Sequence, residues 1–468
     1  MIMLKETLCV LLWASLEATQ SRGCSSFFCR KSHRVSMLSR GADPGKPLFL
    51  TPLPGKGQHR RGLVGPLPGA SVKSYAGYLT VNNKYNSNLY FWFFPAQERP
   101  ETAPVLLWLQ GGPGGTSMFG LFVEHGPYVV LKNLTVGYRD YPWTSRYSVL
   151  YIDNPVGTGF SFTDDDRGFA QNQDDVGRDL YSALTQFFQI FSEYQSNDFY
   201  ATGESYAGKY VPAIGYYIHK HNPIAKVKIN FKGVAIGDGL CDPELMLGGY
   251  GDFLYQTGLI DMLQKQYVEQ QTASGCFQLP GTFFHYPHVL QVFDSLLNGD
   301  ILPYPSFFQN ATGCSNYFQL LEPADQEYFS QFVTLAEVRR SIHVGNLTFH
   351  DGSEVEKHLL QDVMKSIKPW LATLMDNYRL DGQLDVIVAA PLTERFLPTV
   401  NWTGADEFNK ASRFHWKIQP EDTEVAGYVR QVGEFYQVST GEGTYYRIDQ
   451  PQRSFDMIDR FLSTQGFI

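Results

Sequence analysis

Residues 199–208 read Phe-Tyr-Ala-Thr-Gly-Glu-Ser-Tyr-Ala-Gly, and this stretch decides the fold. It begins with a short apolar run typical of a buried strand, and apolar positions recur at helical spacing after it. A serine on a sharp turn from strand to helix requires small neighbours, which Gly203 and Ala207 supply. The turn exposes the hydroxyl beside the helix N-terminus, where backbone N–H groups can stabilise an oxyanion. The pattern predicts that Ser205 is a nucleophile; the alternative is an ordinary turn serine.

A glycine-rich turn follows an earlier buried strand. Residues 105–110 read Val-Leu-Leu-Trp-Leu-Gln, and residues 111–117 continue Gly-Gly-Pro-Gly-Gly-Thr-Ser. Four glycines in five residues let backbone N–H groups approach a ligand closely. The turn lacks Gly-Lys-Ser/Thr and Gly-x-Gly-x-x-Gly, which argues against a phosphate-binding loop. A turn of this kind upstream of a nucleophile elbow is where such hydrolases complete the oxyanion hole.

The order of strand and helix patterns predicts an α/β fold with a parallel sheet. Residues 77–94 have the pattern of a hairpin. Four apolar runs without polar alternation predict strands buried on both faces: Val105–Leu109, Val149–Ile152, Phe199–Ala201 and Gly233–Ile236. In residues 174–194, apolar positions recur as on one face of a helix. Strand, helix and strand in this order form a right-handed crossover.

We divide the chain into five segments. They are a signal peptide (residues 1–23), a leader or pro-segment (24–70), the first part of an α/β core (71–240), a helical insertion (241–368) and the second part of the core (369–468). Helical patterns in the insertion cover Met262–Gln271, Val289–Leu297 and Leu335–Ile342, and strand patterns return at Val386–Val388, His415–Ile418 and Gly427–Val438. Arg60 and Arg61 form a candidate processing site in the leader; the other interpretation is an irregular segment lying on the fold.

Four motifs make the chain resemble the serine carboxypeptidase family. They are Trp-Leu-Gln-Gly-Gly-Pro-Gly-Gly at 108–115, Ile-Asp-Asn-Pro-Val-Gly-Thr-Gly-Phe-Ser at 152–161, Thr-Gly-Glu-Ser-Tyr-Ala-Gly-Lys-Tyr-Val-Pro at 202–212 and Gly-Val-Ala-Ile-Gly-Asp-Gly at 233–239. The resemblance implies an α/β-hydrolase fold with a helical cap, removal of C-terminal residues from peptides, no cofactor, and lysosomal or secretory routing. It also implies that Ser205 is the nucleophile and that the backbone N–H groups of Gly112 and Tyr206 form the oxyanion hole.

The same resemblance implies a clamp for the C-terminal carboxylate of a substrate. Its members are Gln110, the backbone of Gly111, and Glu204. Gln110 stands where most of the family has Asn, so the amide donor is kept but displaced by one methylene. A protonated Glu204 that donates to the carboxylate explains why the family works best in acid. The alternative is that Glu204 is a solvated side chain without this role.

A nucleophilic serine needs a histidine as base and a carboxylate that orients the histidine. In α/β-hydrolases the carboxylate and the histidine follow the serine in that order, so we expect the carboxylate after Ser205. By resemblance it lies in a Gly-x-x-Asp turn after a buried strand, and residues 382–385, Gly-Gln-Leu-Asp, make Asp385 the candidate. Residues 375–381 read Met-Asp-Asn-Tyr-Arg-Leu-Asp, which predicts a helix end and a polar turn. The strand thus looks about three residues short, which would displace Asp385.

The histidine position of the family holds a different residue here. That histidine precedes an Asp-Gln-Pro sequence, which is present at 449–451, and counting back from it reaches Thr444. A threonine cannot accept a proton at neutral or acid pH. The one histidine after Asp385 is His415, which lies in a strand pattern and comes too early for this loop. Loss of the general base of a serine triad costs about 10⁶-fold in turnover.

Three explanations fit the missing base. The chain is a catalytically impaired member that still binds peptide C-termini, or a rearrangement brings His415 to the site, or the sequence derives from a faulty gene model. The last is possible because both defects are small losses at segment junctions. A rival function is an esterase or acyltransferase that uses the same elbow. The intact Gln110 and Glu204 favour peptide substrates over plain esters.

Composition restricts the partners. The 38 Lys and Arg against 47 Asp and Glu give a net charge of −9, and no long basic tract is present, so nucleic acid is excluded as a partner. Hydrophobic residues make up 43% and charged residues 18%, which predicts a large buried core rather than disorder. No apolar run reaches the roughly 18 residues needed to span a membrane. The sequence carries no signal for an oligomeric state.

Several features favour the secretory pathway. A short apolar stretch after Lys5 is typical of a signal peptide. Four glycosylation sequons begin at Asn133, Asn310, Asn346 and Asn401. The six cysteines lack zinc-binding spacing, so no metal site is predicted. Cys276 and Cys314 are the predicted disulfide, and Cys241 is expected to be a buried free thiol.

Overall fold

A ten-stranded mixed sheet is the centre of the computed structural model, which describes residues 43–51, 58–276, 296, 306–312, 328–383, 390–439, 450–463 and 466–467. Two short two-stranded sheets accompany it. In chain order the strands are β1 (Tyr75–Asn82), β2 (Ser87–Phe94), β3 (Val105–Leu109), β4 (Tyr128–Val130), β5 (Val136–Tyr138), β6 (Ser148–Ile152), β7 (Thr158–Gly159), β8 (Phe199–Glu204), β9 (Phe231–Gly237), β10 (His350–Asp351), β11 (Arg379–Gln383), β12 (Phe414–Trp416), β13 (Gly427–Val432) and β14 (Phe435–Ser439).

The central strands of the large sheet are parallel. The strand order is β1-β2-β6-β3-β8-β9-β11-β14-β13-β12, and every neighbouring pair from β6 to β14 is parallel. The pairs β1–β2 and β12–β13 at the two edges are antiparallel. Parallel strands end at the same edge of a sheet, so β3, β8, β9, β11 and β14 all end there. The predicted α/β class and the predicted hairpin are confirmed.

Apolar layers cover both faces of the sheet. In β2, Phe91 and Phe93 pack into one cluster while Trp92 and Phe94 pack into the other, and all four side chains are fully buried. A strand between two apolar layers needs no polar alternation. This explains why the buried strands read as continuous apolar runs in the sequence.

The α-helices of the described residues are also numbered in chain order. They are α1 (Gln173–Ile190), α2 (Ala207–His221), α3 (Pro243–Leu247), α4 (Tyr250–Gln256), α5 (Met262–Cys276), α6 (Phe307–Thr312), α7 (Tyr328–Phe332), α8 (Ala336–Ser341), α9 (Ser353–Leu359), α10 (Lys368–Asn377), α11 (Ala390–Phe396), α12 (Ala405–Phe408) and α13 (Pro451–Leu462). Helices α1, α2 and α10 contribute to one apolar cluster, and α13 contributes to the other. Over the described part of the chain, no helix has both the length and the apolarity needed to cross a bilayer.

Helix α1 shows why these residues are helical. The Asn172 side chain caps it by accepting a hydrogen bond of 3.0 Å from the backbone N–H of Asp175. Its apolar face is buried against the sheet, as the periodicity predicts. The helix ends at Ile190, before the predicted end at Tyr194, because residues 192–194 form a separate 3₁₀ turn.

The strand that precedes Asp385 is the main correction to the sequence-based prediction. Residues 375–381 predict a helix end and a polar turn, but β11 begins within this stretch at Arg379. β11 pairs with β9 on one side and with β14 on the other, and its last residue lies opposite Gly237. Two ladders of backbone hydrogen bonds outweigh the weak strand propensity of a sequence that contains Gly382.

The segment before the core packs on the fold. The backbone N–H of Leu50 donates to the carbonyl of Tyr78 (3.0 Å), and that of Gly65 donates to the carbonyl of Ser341 (3.1 Å). The Leu50 side chain is buried. This packing supports the interpretation of residues 43–51 and 58–70 as an irregular segment lying on the fold.

The predicted helical insertion is largely helical where the structure describes it. Helices α5 and α8 confirm two of its three helical patterns, while residues 289–297 lie outside the described residues except for position 296. The insertion also contributes β10, which pairs with β7 of the core and was not predicted. The predicted strand at 386–388 lies outside the described residues.

Candidate active site

Ser205 lies on a sharp turn between β8 and α2. Its φ angle is +59°, a left-handed conformation that is strained for a residue with a side chain. Three backbone hydrogen bonds hold it there: its N–H donates to Gly237 (2.9 Å), and its carbonyl accepts from Gly208 (2.9 Å) and Leu240 (3.0 Å). A side-chain carbon at Gly203 would lie 2.5 Å from the Leu109 carbonyl oxygen, so this position excludes larger residues. These features are those of a nucleophile elbow.

The glycine-rich turn after β3 touches this elbow. A side-chain carbon at Gly111 would lie 2.5 Å from the backbone nitrogen of Tyr206 and 2.8 Å from Cβ of Ser205. Gly112 follows with a φ of +118°, which favours glycine. The Tyr206 hydroxyl donates to the Asp362 carboxylate (3.3 Å), which fixes the side chain of the residue after the nucleophile. The structure therefore brings together the segments that carry both predicted oxyanion donors.

Gln110 and Glu204 meet beside the elbow. The Gln110 Nε2 donates to Oε1 of Glu204 at 2.5 Å, and both side chains are buried. The Gln110 Oε1 accepts a hydrogen bond of 2.9 Å from the indole N–H of Trp108. Both the oxygen and the nitrogen of the Gln110 carboxamide are thus fixed by hydrogen bonds. Gln110 directly precedes Gly111, and its partner Glu204 directly precedes Ser205. All three predicted clamp residues lie at one place.

Two further residues of this cluster were missed by the sequence reasoning. The Gln110 Nε2 also donates to Oε1 of Glu124 (3.4 Å), and the Glu124 Oε2 lies 3.9 Å from Nε2 of His125. Glu124 ends a single π-helical turn, a feature that often marks functional sites. The sequence signal is faint: Gly120 at the start of this turn packs against the Trp108 indole, where a side chain would clash.

Asp153 ties the glycine-rich turn to the loop after β6. Its carboxylate accepts hydrogen bonds from the Thr116 hydroxyl (2.6 Å) and from the backbone N–H groups of Ser117 (3.0 Å) and Phe160 (2.9 Å). Burial raises the pKa of Asp153 to about 6, against the opposing effect of these hydrogen bonds. Asp153 therefore supports the shape of the turn from behind.

The remaining triad positions lie outside the described residues. Asp385 follows the end of β11 by two positions, and Thr444 lies in the segment after β14. Both strands are parallel to β8 and end at its edge of the sheet, so the chain leaves them on the Ser205 side. Only the approach to these positions is therefore described.

His415, the candidate substitute base, lies far from Ser205. It lies exposed on β12, the edge strand of the sheet, with its ring against Tyr428. Five strand spacings separate β12 from β8, which is about 24 Å. In this structure His415 therefore lies far from the elbow, and its role as a substitute base stays a prediction.

The structure describes the four sequon asparagines and some of the cysteines. Asn133, Asn310, Asn346 and Asn401 are all exposed. Cys241 is a buried free thiol, as predicted, and burial raises its pKa to about 12. The disulfide between Cys276 and Cys314 stays a prediction, because Cys314 lies outside the described residues.

Comparison with known proteins agrees with this geometry. The profile of the serine carboxypeptidase family matches residues 66–464. The chain belongs to this family. It is 57% identical over 455 residues to a human protein named probable serine carboxypeptidase CPVL, covering 95% of each chain. It is 47% identical over 438 residues to the venom serine carboxypeptidase of Apis mellifera, covering 91% of this chain and 92% of the relative.

A solved carboxypeptidase structure has the same fold. The prohormone-processing carboxypeptidase Kex1 from Saccharomyces cerevisiae superposes with a TM-score of 0.74 at 21% identity, over 87% of this chain and 98% of that one. The serine carboxypeptidase chain therefore has the predicted α/β-hydrolase fold.

The strained backbone at Ser205 makes a stability prediction. Ser205→Gly is expected to be more stable than Ser205→Ala by about 1 kcal/mol, because glycine adopts a φ of +59° without strain. Urea unfolding of both variants measures the difference. Ser182, inside helix α1, is the control. There the glycine variant should be less stable than the alanine variant by about 1 kcal/mol, because glycine disfavours a helix interior. Equal stability of the two Ser205 variants would contradict the strain.

The raised pKa of Asp153 predicts a pH dependence of stability. The folded state holds the proton more tightly than the unfolded state, whose Asp pKa is about 3.9. This contribution is therefore full below about pH 4 and is lost as the pH rises to about 6, on the order of 2–3 kcal/mol. Asp153→Asn, which does not titrate, should flatten the urea-unfolding free energy between pH 4 and 6.

A second buried carboxylate calibrates this measurement. The pKa of Asp179 is also raised to about 6 by burial, so part of the slope should persist in Asp153→Asn. The double variant Asp153→Asn with Asp179→Asn should flatten the slope further. If the pH dependence of the unfolding free energy is the same in Asp153→Asn as in the parent, the pKa of Asp153 is the same in the folded and unfolded states, and the prediction is wrong.

Proposed function

We propose that this chain binds the C-terminal carboxylate of peptides and hydrolyses the last peptide bond through an acyl-enzyme on Ser205. The observation that carries the proposal is the buried hydrogen bond between Gln110 and Glu204. It sets a carboxylate-binding pair next to a strained nucleophile and a glycine-rich turn. An enzyme that cuts internal bonds has no need of such a pair.

The chemistry assigns each group one task. Ser205 Oγ attacks the scissile carbonyl carbon and loses its proton to a base, while the carbonyl oxygen becomes an oxyanion. The backbone N–H groups of Gly112 and Tyr206 donate to that oxyanion. The C–N bond then breaks, the leaving amine takes the proton, and water hydrolyses the acyl-enzyme. Gln110, the Gly111 backbone and Glu204 hold the carboxylate of the departing residue.

The base determines whether the cycle turns over at a useful rate. Thr444 stands where a histidine is needed. The candidate orienting carboxylate, Asp385, therefore has no imidazole to orient. The second candidate function is therefore a protein that binds peptide C-termini with impaired turnover. It keeps the clamp and the elbow and lacks only proton transfer. Without a base, roughly 10³–10⁴-fold catalysis over water is expected to persist.

We place this activity in the secretory pathway, either in lysosomes or outside the cell. The signal-like start and the exposure of the sequon asparagines Asn133, Asn310, Asn346 and Asn401 support glycosylation during export. An esterase or acyltransferase function is the rival, and the buried clamp speaks against it, because a plain ester offers no carboxylate.

The clamp makes a prediction about binding. In a Ser205→Ala background, a short peptide with a free C-terminus should bind at least tenfold tighter than its C-terminal amide at about pH 5, since charge-assisted hydrogen bonds contribute about 1.5–3 kcal/mol. Gln110→Met should abolish this preference. Gln186→Met, in α1 away from the elbow, is the control. Calorimetry that finds no preference for the free carboxylate would refute the clamp.

The histidine position makes a prediction about turnover. Purified chain should release the C-terminal residue of a peptide at about pH 5 only slowly, far below the rate of an enzyme with a complete triad, because Thr444 cannot act as the base. From the sequence alone, the short strand before Asp385 predicts that Thr444→His restores little turnover. Because β11 pairs with both β9 and β14, we expect that variant to raise turnover by at least about 100-fold. Adding Ser205→Ala should remove the gain. Release of amino acids at ordinary rates by the unmodified chain would overturn the missing-base argument.

A further inference from the structure

A short segment of the helical insertion, Gly352–Asp362, contacts both halves of the predicted oxyanion hole, and we call it the brace. It contains helix α9 and ends in a turn in which the N–H of Asp362 donates to the carbonyl of Leu359 (2.7 Å). Its first residue packs on the glycine-rich turn that carries the Gly112 N–H, and its last residue accepts a hydrogen bond from Tyr206. The brace therefore connects the two stretches of backbone whose N–H groups must donate to one oxygen atom.

At the first end of the brace, two glycine backbones pack directly on each other. A side-chain carbon at Gly114 would lie 2.7 Å from the carbonyl oxygen of Gly352 and 2.8 Å from its Cα. Gly352 has a φ of +87°, and a side-chain carbon there would lie 2.8 Å from the carbonyl carbon of Gly114. Gly352 directly follows β10, whose pairing with β7 holds it against the core. Because Gly112 precedes Gly114 by two positions, this contact limits where the Gly112 N–H can lie.

At the last end of the brace, the Asp362 carboxylate joins a buried polar network. Its Oδ2 accepts hydrogen bonds from the Tyr206 hydroxyl (3.3 Å) and from Nε2 of Gln173 (2.6 Å). Lys209, inside α2, places its Nζ 3.5 Å from the same oxygen and donates to the backbone carbonyl of Asp362. All four side chains are buried. A buried carboxylate persists where it is paired and hydrogen-bonded, so this network fixes Asp362 and, through it, the Tyr206 ring.

The charge states in this network keep the link to Tyr206 intact. Burial lowers the pKa of Lys209 to about 8, so its ammonium group stays charged in acid. Burial raises the pKa of Tyr206 well above its usual value, so its hydroxyl stays a neutral donor. A second ammonium group faces the carboxylate, since Nζ of Lys365 lies 3.9 Å from Oδ1 of Asp362. The Tyr206 hydroxyl therefore donates to a carboxylate that two cations hold in place.

We propose that Asp362 is a positioning residue for the oxyanion hole. It holds the Tyr206 side chain so that the Tyr206 N–H points to the same place as the Gly112 N–H, whose turn rests on Gly352 at the other end of the brace. An oxyanion donor is effective only within about 2.7–3.1 Å of the oxyanion, so a small displacement weakens it. The inference rests on the proposed function, because it concerns the oxyanion hole of that same reaction.

The brace should affect the chemical step and not the binding of the peptide. The oxyanion forms only when Ser205 attacks, so the two backbone donors act mainly in the transition state. The clamp residues Gln110 and Glu204 bond to each other and lie on other segments of the chain. A weakened brace should therefore lower kcat and leave KM unchanged.

The test measures slow ester hydrolysis by the full-length chain at about pH 5. The substrate is a depsipeptide, in which an ester replaces the last peptide bond and the departing hydroxy acid keeps the free carboxylate. Esters react faster than peptide bonds, so a chain without a histidine base still gives measurable rates. Ser205→Ala gives the background rate, which is subtracted.

Tyr206→Phe removes the hydroxyl that reaches Asp362 and keeps the buried ring. We expect kcat to fall about tenfold with KM unchanged, because a displaced donor costs less than the roughly 10²–10³-fold of a donor removed outright. Tyr217→Phe is the matched control, since the Tyr217 hydroxyl in α2 also donates to an aspartate, Asp174 at 3.4 Å. That variant should keep both kcat and KM.

A second set of variants shows whether Asp362 acts through Tyr206. Asp362→Leu combined with Lys209→Met replaces the buried ion pair by apolar side chains, an exchange that folded proteins often tolerate. It should also lower kcat about tenfold, and adding Tyr206→Phe should lower kcat little further, because residues that act through one link are not additive. Losses that multiply would show that Asp362 does not act through Tyr206. Should the pair replacement fail to fold, Tyr206→Phe, which loses a single oxygen atom, remains the test.

The first end of the brace has its own pair of variants. Gly352→Ala presses a methyl group on the glycine-rich turn, and we expect kcat to fall about tenfold. Gly258, with a φ of +74°, is the matched control, because an added side-chain carbon there has no described atom within 4 Å. Both variants put alanine in a left-handed conformation and should lower stability in urea alike, but Gly258→Ala should keep kcat. Equal kcat values in the two variants would reject the role of the Gly352 contact.

The outcomes separate this inference from the proposed function. A parent chain that hydrolyses the ester no faster than Ser205→Ala would reject the proposed function and the inference with it. Ser205-dependent hydrolysis that keeps its kcat in Tyr206→Phe would reject the positioning role alone. A higher KM at unchanged kcat in Tyr206→Phe would also reject it, since the hydroxyl would then serve peptide binding.

Discussion

The hydrogen bond from the Ser205 N–H to the Gly237 carbonyl is the contact on which the site depends. It joins the turn after β8 to the end of β9, and it holds Ser205 at a φ of +59°. A strained residue persists only where its surroundings over-determine it. Here those surroundings are neighbouring parallel strands, so the nucleophile is kept in place by the order of the sheet rather than by its own loop.

Sequence reasoning succeeded where local pattern and burial agree. The turn at residues 199–208, the apolar strands and the helix after residue 173 were all predicted, because each has a period or a turn chemistry of its own. The resemblance to a family added Gln110 and Glu204, which the structure brings within hydrogen-bonding distance. The strand β11 was missed because its stability comes from pairing with β9 and β14, which no local window contains.

Glu124 and His125 show a different limit. Glu124 ends a single π-helical turn that has no periodicity, and His125 directly follows it. The aromatic neighbours of His125, Trp143 and Tyr151, are too distant in sequence to form a motif with it. Their place in the site becomes evident only from the structure, in which the Gln110 amide donates to both Glu204 and Glu124. The polar cluster behind the elbow is thus a product of tertiary packing, whereas the elbow itself is written in consecutive residues.

The strand order also has a consequence for synthesis. The β9 strand ends at Gly237 and its outer neighbour β11 begins at Arg379, so about 140 residues emerge between them. At roughly 5–20 residues per second, β9 stays an open edge for about 7–28 s on the ribosome. An unpaired edge strand is a template for aggregation. The parallel half of the sheet around Ser205 is therefore not fully paired until β11 has been synthesised.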